Sequence, residues 1–163
     1  MTAAEKRHRR IPVFIPHLGC PHQCVFCNQR SISGCRRFDE SAVPAQIDAA
    51  LATLPPDCDC QIAFFGGSFT GIDRDLMCRL LELGARYVEN GQVSSLRLST
   101  RPDLIDREVL DILLRYPVRT VELGIQSTSD AVLEQSGRGH TARDSEIACR
   151  AVLDAGLELV GQM

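Results

Sequence analysis

The segment Gln61-Ile-Ala-Phe-Phe65-Gly66-Gly67 joins a short apolar run to a pair of glycines. An apolar run of this length that ends at a turn signal is typical of a buried strand in a parallel sheet. Four other runs of the same kind occur along the chain. They are Ile11–Pro16, Leu96–Ser99, Arg119–Leu123 and Leu157–Val160. The sequence therefore predicts five short strands, and the run Gln61–Phe65 is the second of them.

Helical patterns fill the intervals between the predicted strands. They are Val43–Thr53, Asp73–Glu89, Ile105–Leu114, Asp130–Ser136 and Ser145–Ala155. Strands that alternate with helices indicate βαβ units, a parallel sheet and the α/β fold class. A complete eight-unit barrel needs about 250 residues, and the chain has 163. We therefore expect a partial parallel (β/α) barrel, truncated after about five strands, with a complete small open sheet as the alternative.

Composition and charge exclude several classes of protein. The chain is 44% hydrophobic and 24% charged, which is typical of a globular domain and not of a disordered or collagen-like chain. No apolar run approaches the roughly 20 residues of a membrane span. No secretory signal is visible either, so we expect a cytoplasmic protein without a membrane partner. The net charge of −3 argues against a generally basic nucleic-acid-binding protein.

Residues 1–10 differ from the rest of the chain in their charge, because they carry basic residues at positions 6, 7, 9 and 10 against one acid, Glu5. We expect them to form a solvated basic arm, with phosphate contact as the alternative. Residues 11–163 are then expected to form the N-terminal part of a core domain.

Cysteine is unusually frequent, with 8 residues in the chain. Three of them form the loop Cys20-Pro-His-Gln-Cys24-Val-Phe-Cys27, a C-x3-C-x2-C pattern directly after the first predicted strand. In a reducing compartment, clustered cysteines indicate metal binding or catalysis rather than disulfides. Three thiolates can hold a 4Fe-4S cluster and leave one iron open to another ligand. A structural zinc site is the alternative, with His17, His22 or Cys35 as the fourth ligand.

The cysteine loop resembles the hallmark of the radical S-adenosylmethionine superfamily, a C-x3-C-x-aromatic-C loop after the first strand of a partial α/β barrel. Phe26 stands at the aromatic position. The segment Phe65-Gly-Gly-Ser-Phe-Thr70 is similar to the glycine motif of that family. Three later motifs resemble the branch that contains the Elongator catalytic subunit and, more distantly, oxygen-independent coproporphyrinogen oxidase. They are Ser99-Thr-Arg-Pro-Asp103, Glu122-Leu-Gly-Ile-Gln-Ser127 and Arg138-Gly-His-Thr141.

The resemblance implies that Cys20, Cys24 and Cys27 ligate a 4Fe-4S cluster and act in catalysis through it. It further implies that S-adenosylmethionine binds at the open iron and is cleaved by an electron from a reductant such as flavodoxin or ferredoxin. A substrate hydrogen is then abstracted. The residues that the resemblance places at the cofactor are Phe26, Gly66, Gly67, Ser68, Ser99, Gln126, Arg138 and Gln162.

Individual members of this set have more specific implied roles. Ser68 stands where the superfamily more commonly has a glutamate. Gln126 matches a position that contacts the ribose of the cofactor, and an amide can both donate to and accept from a hydroxyl. Arg138 matches a position that contacts the carboxylate of the cofactor, which a guanidinium can bind with two hydrogen bonds.

The substrate implied by the Elongator-like branch is tRNA, and modification of tRNA is the expected reaction. A porphyrin or other small molecule is the alternative from the coproporphyrinogen oxidase branch, and a structural zinc module without catalysis is the alternative from the cysteines alone. Arg101 and Asp103 either bind substrate or pair with each other. His140 is expected to cap the following helix or to lie at the surface, with a general acid as the alternative.

Overall fold

The computed structural model of the chain describes residues 8–15, 18–21, 24–27, 38–55 and 58–163. In this part of the chain five strands form one parallel sheet in the sequence order β1-β2-β3-β4-β5. The strands are β1 His8–Phe14, β2 Asp59–Phe65, β3 Ser95–Thr100, β4 Val118–Gly124 and β5 Glu158–Gln162. The predicted α/β class and parallel sheet are confirmed.

Helices connect successive strands, as a parallel sheet requires. They are α1 Val43–Leu51, α2 Arg74–Glu89, α3 Arg107–Leu113, α4 Asp130–Gln135 and α5 Ala142–Asp154. Short 3-10 turns follow β2 at Phe69–Gly71 and β3 at Pro102–Leu104. No helix in the described ranges has both the length and the apolar character needed to cross a membrane.

Strand β1 starts three residues before the predicted strand, at His8 rather than at Ile11. The reason is its partner, because β2 starts at Asp59 and His8 lies opposite Asp59 in the register. The His8 Nδ1 atom is 2.9 Å from a carboxylate oxygen of Asp59. His8, Arg9 and Arg10 therefore belong to the sheet, and residues 1–7 of the predicted basic arm lie outside the described residues.

Helix α5 also starts three residues before its predicted start at Ser145. Thr141 is its N-cap, and the Thr141 side chain accepts a hydrogen bond from the Asp144 backbone N–H while the Asp144 side chain accepts from the Thr141 backbone N–H. This reciprocal capping box satisfies two backbone donors that the helix itself cannot satisfy. The cap starts the helix at Ala142, directly after His140 and Thr141.

One face of the sheet is apolar and is covered by helices. Its side chains alternate along the strands and include the buried residues Ile11, Val13, Ile62, Phe64, Leu96, Leu98, Val121 and Leu123. Gly84 of α2 lies so close to this face that a Cβ atom there would be 2.7 Å from a methyl carbon of Leu96. Burial of this face supplies most of the hydrophobic stabilisation of the domain.

On β3, β4 and β5 the opposite face of the sheet carries polar side chains that pair across neighbouring strands. Arg97 on β3 donates to Glu122 on β4 at 2.7 Å, and the Arg97 side chain is only 8% exposed. Glu158 on β5 accepts from Thr120 on β4 at 2.9 Å. Because side chains on a strand alternate between faces, Arg97, Thr120 and Glu122 lie opposite the buried apolar residues of the same strands. This polar face forms the inner wall of the partial barrel.

Three partly buried cysteines outside the loop pack against the core: Cys58 just before β2, Cys78 on α2 and Cys149 on α5. Burial raises the pKa of Cys149. Cys60 on β2 is buried, and burial together with the charges of Cys58 and Asp59 raises its pKa to about 11. A thiol with so high a pKa carries little thiolate at neutral pH and is a poor nucleophile or metal ligand. These residues therefore belong to the packing of the fold.

Candidate metal and cofactor site

The sequence motifs meet at one edge of the sheet because all five strands run in the same direction. The carboxyl ends of parallel strands form the edge where ligands bind in open α/β sheets and barrels. The cysteine loop follows β1, the glycine motif follows β2, and Arg101 follows β3. Gln126 follows β4, and Arg138 lies in the connection between α4 and α5.

The cysteine loop lies directly on the turn after β2, backbone against backbone. Gly19 has a φ of 78°, and a Cβ atom there would be 2.1 Å from the carbonyl oxygen of Ser68. At Gly71 a Cβ atom would be 2.3 Å from the carbonyl oxygen of Gly19, and at Gly67 it would be 2.5 Å from that of Leu18. Only glycine permits so close an approach. These glycines therefore fix the position of the loop.

Cys20 is the exposed member of the cysteine loop. Its Sγ atom is 3.4 Å from the Oγ atom of Ser68, which is buried at 2% exposure. Phe26 is 54% exposed, and Cys27 is half-buried with its backbone N–H donating to the carbonyl of Cys24 at 3.1 Å. The predicted residues Cys20 and Ser68 are thus brought together, and Phe26 presents its ring at the surface.

Cys24 is the buried cysteine of the loop, and its partner is distant in sequence. The Arg138 Nη1 atom donates to the Cys24 Sγ atom at 3.3 Å. Arg138 is itself buried at 7% exposure. Its Nη2 atom donates to the carbonyl oxygen of Gly124 and its Nε atom donates to the Nε2 atom of His140 at 3.3 Å. All three nitrogens of the guanidinium are therefore engaged.

Arg101 and Asp103 pair with each other, which is one of the two predicted alternatives. Two hydrogen bonds of 3.0 and 2.9 Å join the Arg101 guanidinium to the Asp103 carboxylate. Arg101 is 3% exposed, and its Nη2 atom also donates to the backbone carbonyl oxygen of Arg138. The sequence did not reveal this last contact. Arg101, which is held by Asp103, therefore anchors the backbone of Arg138 through this hydrogen bond.

His140 is buried at 5% exposure, so the expectation of a surface or capping residue is wrong. Thr141 performs the capping instead. Because His140 Nε2 accepts from Arg138, the ring proton belongs on Nδ1, which is 3.3 Å from the carbonyl oxygen of Thr141. Ser145 Oγ is 3.4 Å from the same nitrogen. Burial is the main cause that lowers the pKa of His140, and the positive charge of Arg138 adds to it.

The signal for this arrangement was present in the sequence as alternating glycines. Gly137 and Gly139 have φ values of 67° and 74°, which are unfavourable for residues with a side chain. They flank Arg138 in the order Gly-Arg-Gly-His. Two glycines spaced in this way let the backbone turn on both sides of the residue between them. The turns allow Arg138 and His140 to meet in the interior.

The side chains of Gln126 and Arg138 both lie next to Gly124. A Cβ atom on Gly124 would be 3.2 Å from Arg138 Nη2 and 3.3 Å from Gln126 Nε2. Gln126 has a φ of 67°, the sole positive value for a non-glycine residue within the described ranges. Its backbone N–H donates to the carbonyl of Gln162 at 2.9 Å. A strained backbone of this kind is common at ligand sites.

Other predicted residues stand apart from this group or lie outside the described residues. Ser99 is half-buried on the inner face of β3, opposite Glu122 in the register. Cys35, His17 and His22, the candidate fourth ligands of a zinc site, lie outside the described residues. Within the described ranges no three His, Cys, Asp or Glu side chains are grouped closely enough to hold a metal ion. Cys20 and Cys24 instead contact Ser68 and Arg138.

The donor set nevertheless fits an iron–sulfur cluster in its chemistry. Cys20, Cys24 and Cys27 lie on one loop of eight residues, and all three are free thiols. Iron–sulfur clusters are held by cysteine thiolates. The guanidinium of Arg138 donates a hydrogen bond to the sulfur of Cys24.

Comparison with known proteins supports this interpretation. The sequence profile of the Radical SAM superfamily matches residues 14–163. An uncharacterized protein of Methanocaldococcus jannaschii is 28% identical over 166 residues, which cover 94% of this chain and 50% of that protein. Elongator complex protein 3 of Saccharomyces cerevisiae is 35% identical over 66 residues, which cover 40% of this chain and 12% of the yeast protein. The predicted resemblance to this family is confirmed.

Two further matches extend the comparison. The heme chaperone HemW of Bacillus subtilis is 24% identical over 144 residues, which cover 85% of this chain and 38% of that protein. The solved structure of the archaeal Methanocaldococcus infernus Elp3 superposes with a TM-score of 0.68 and 20% identity, over 96% of this chain and 37% of that chain. This likeness confirms the predicted partial-barrel fold. The chain spans half or less of the length of these relatives.

Substitution of Gly19 by alanine should destabilise the protein by about 3 kcal/mol, from the positive φ and the overlap with the backbone of Ser68 together. Gly91 is a matched control, because it has a φ of 69° and no atom lies within 4 Å of the point that a Cβ atom would occupy there. Gly91→Ala should therefore cost only about 1 kcal/mol. Urea unfolding of both variants measures the difference. Equal losses would show that the loop does not depend on this close approach.

The low pKa of His140 should make stability pH-dependent. The unfolded chain binds a proton at His140 below about pH 6.5, whereas burial opposes that proton in the folded protein. The unfolded state then binds more protons, so the free energy of unfolding falls as the pH drops below about 6.5, by at most about 1.4 kcal/mol per pH unit. Urea unfolding at about pH 7.5 and about pH 5.5 should show a smaller decrease for His140→Gln than for the wild type. Parallel pH profiles would contradict the assignment.

Proposed function

The chain belongs to the radical S-adenosylmethionine superfamily, and on that premise we propose that it is an enzyme that uses a 4Fe-4S cluster and S-adenosylmethionine. The observation that carries the proposal is the C-x3-C-x2-C loop at the carboxyl edge of a parallel sheet. When bound, the cluster supplies an electron that cleaves S-adenosylmethionine reductively and starts hydrogen abstraction from a substrate. A reductant of the flavodoxin or ferredoxin class provides that electron.

Cys20, Cys24 and Cys27 are the proposed cluster ligands. The loop that carries them is anchored at two points, by the glycine contacts with the turn after β2 and by the Val25 backbone N–H, which donates to the carbonyl of Ser136 at 3.1 Å. These contacts hold the loop against the sheet edge at Gly19 and at Val25. Such preorganisation strengthens ligand binding.

Most of the proposed cofactor residues lie at or near the carboxyl ends of the strands. Gly66 and Gly67 end β2 and pack against Phe14 and the backbone of residues 15 and 18, and we include them because their segment resembles the glycine motif of the family. Ser68 adds a buried hydroxyl beside Cys20. Gln126 and Arg138 offer amide and guanidinium donors over Gly124, suited to a ribose and a carboxylate. Phe26, Ser99 and Gln162 complete the proposed set.

For the substrate we propose tRNA. The support is the match to Elongator complex protein 3, together with a match to a tRNA uridine(34) acetyltransferase of Methanocaldococcus jannaschii at 34% identity over 65 residues. A small-molecule substrate such as a porphyrin is the second candidate. Its support is the match to the heme chaperone HemW, which extends over more of the chain, 85% against 40%.

Anaerobic reconstitution with iron and sulfide should yield a brown protein with a 4Fe-4S cluster. After reduction with dithionite, its electron paramagnetic resonance signal should shift when S-adenosylmethionine is added. Cys20→Ala should abolish cluster formation because one of three thiolate ligands is lost. Cys149→Ala is the matched control, since that cysteine packs against the core on α5, and it should retain the cluster.

Other outcomes would contradict parts of the proposal. A colourless protein that holds one equivalent of zinc would contradict the proposed enzyme and indicate a structural zinc module. A cluster whose signal ignores S-adenosylmethionine would reject the enzyme but keep the metal site.

If tRNA is the substrate, unfractionated tRNA should increase the formation of 5′-deoxyadenosine by the reduced, reconstituted protein by roughly tenfold, because enzymes couple cofactor activation to substrate binding. A duplex RNA of similar length controls for charge alone. Nucleoside analysis of the tRNA then identifies the modified base. Stimulation by a porphyrin but not by tRNA would reject tRNA as the substrate and leave the enzyme class intact.

A further inference from the structure

The Arg138 guanidinium is directed at a cysteine sulfur. We infer that the hydrogen bond from Arg138 to Cys24 persists when Cys24 is a cluster ligand, and that it raises the reduction potential of the cluster. In this view His140 and Arg101 are positioning residues that hold Arg138 in place. The inference rests on the proposed function, because it concerns the cluster that Cys24 is proposed to bind.

Three contacts fix the orientation of the guanidinium. Its Nη2 atom donates to the carbonyl oxygen of Gly124 at the end of β4, and its Nε atom donates to His140. With these two positions taken, Nη1 points to the Cys24 sulfur at 3.3 Å. A guanidinium is planar and rigid, so two fixed nitrogens determine where the third lies. The contact with sulfur is therefore set by the fold and not by the side chain alone.

The effect on the potential follows from charge. One-electron reduction places additional negative charge on a cluster and on its ligating sulfurs, and a hydrogen bond from a cation stabilises that charge. Arg138 is buried at 7% exposure and Cys24 at 7% exposure. Little water screens the interaction in such an environment, so its strength is higher than at the surface. Loss of the donor should favour the oxidised cluster and lower the potential.

His140 is suited to hold Arg138 because it is an acceptor with a fixed tautomer. Its Nδ1 atom faces the Thr141 carbonyl and the Ser145 hydroxyl, which leaves Nε2 free to accept from Arg138 Nε. Burial lowers the pKa of His140 and so favours the neutral ring, which can accept a hydrogen bond. Arg101 acts on the backbone, since its Nη2 atom donates to the carbonyl oxygen of Arg138. The side chain and the backbone of Arg138 are held separately.

This inference differs from the implied role of Arg138 as a ligand of the cofactor carboxylate. A guanidinium has five N–H donors, and three atoms of the protein take one each. The two roles make different predictions for protein that carries the cluster but no S-adenosylmethionine. A residue that acts only on the cofactor has no effect on the potential in that state, whereas a donor to Cys24 does.

The test is a redox titration of the reconstituted, cofactor-free protein, followed by electron paramagnetic resonance. We expect Arg138→Met to lower the equilibrium constant for cluster reduction by about tenfold, which corresponds to about 59 mV for one electron. Arg143→Met is the matched control, because Arg143 is 71% exposed and pairs with Glu146 on α5. The control should leave the potential unchanged.

A second pair of variants tests the positioning role of His140. His140→Gln retains an acceptor for Arg138 Nε and should leave the reduction potential close to that of the wild type. His140→Leu removes the acceptor and should lower the equilibrium constant for cluster reduction several-fold. A structural role alone would not separate these variants, provided their unfolding transitions are equal. If Arg138→Met does not fold, this comparison carries the test.

Two results would overturn the inference. The first is an unchanged cofactor-free potential in Arg138→Met together with weaker binding of S-adenosylmethionine, which would assign Arg138 to the cofactor alone. The second is an equal potential for His140→Gln and His140→Leu. Failure of the proposed function is a separate outcome, because the wild-type protein would then hold no 4Fe-4S cluster at all.

Discussion

The cysteine loop depends on the close contact between its own backbone and the backbone of the turn after β2. Gly19 and Gly71 allow this contact, because any side chain at either position would overlap a main-chain atom of the other segment. From this contact a continuous series of interactions runs around the sheet edge. The hydroxyls of Thr70 and Thr100 are 2.7 Å apart and join the turn after β2 to the end of β3.

The series then closes on the loop where it began. Arg101 follows Thr100 and supports the carbonyl of Arg138, and Arg138 donates to Cys24 in the loop. Four segments far apart in sequence therefore constrain one another. These contacts link the four segments to Cys20 and Cys24, and the surroundings of a metal site orient its ligands through contacts of this kind.

Much of this arrangement could be predicted from the sequence, and the remainder depends on information that a sequence pattern does not contain. Apolar periodicity and turn residues located all five strands and all five connecting helices of the described ranges, because burial of one sheet face imposes that periodicity. Parallel topology then predicted that the motifs would meet at one edge. The pairing of Arg97 with Glu122 was not predictable, since it depends on the register between β3 and β4.

His140 illustrates the same limit at the site. Its position just before a helix suggested a cap, but the adjacent Thr141 forms the cap with Asp144. The direction of a single side chain in a loop depends on backbone torsions, and here those torsions are set by Gly137 and Gly139. The glycines were visible in the sequence, whereas the buried partner that they serve, Arg138, became evident only from the three-dimensional contacts.

The hydrogen-bond partners of the two buried arginines near Cys24 differ in charge. Arg101 and Arg138 are both buried, and the carboxylate of Asp103 pairs with Arg101. Among the described residues, Arg138 donates to a carbonyl oxygen, a neutral imidazole and a thiol, none of which carries a full negative charge. A buried cation without an anionic partner is costly. A cluster held by three thiolates would place negative charge at that point, so binding of the cluster would offset the cost of burying this guanidinium.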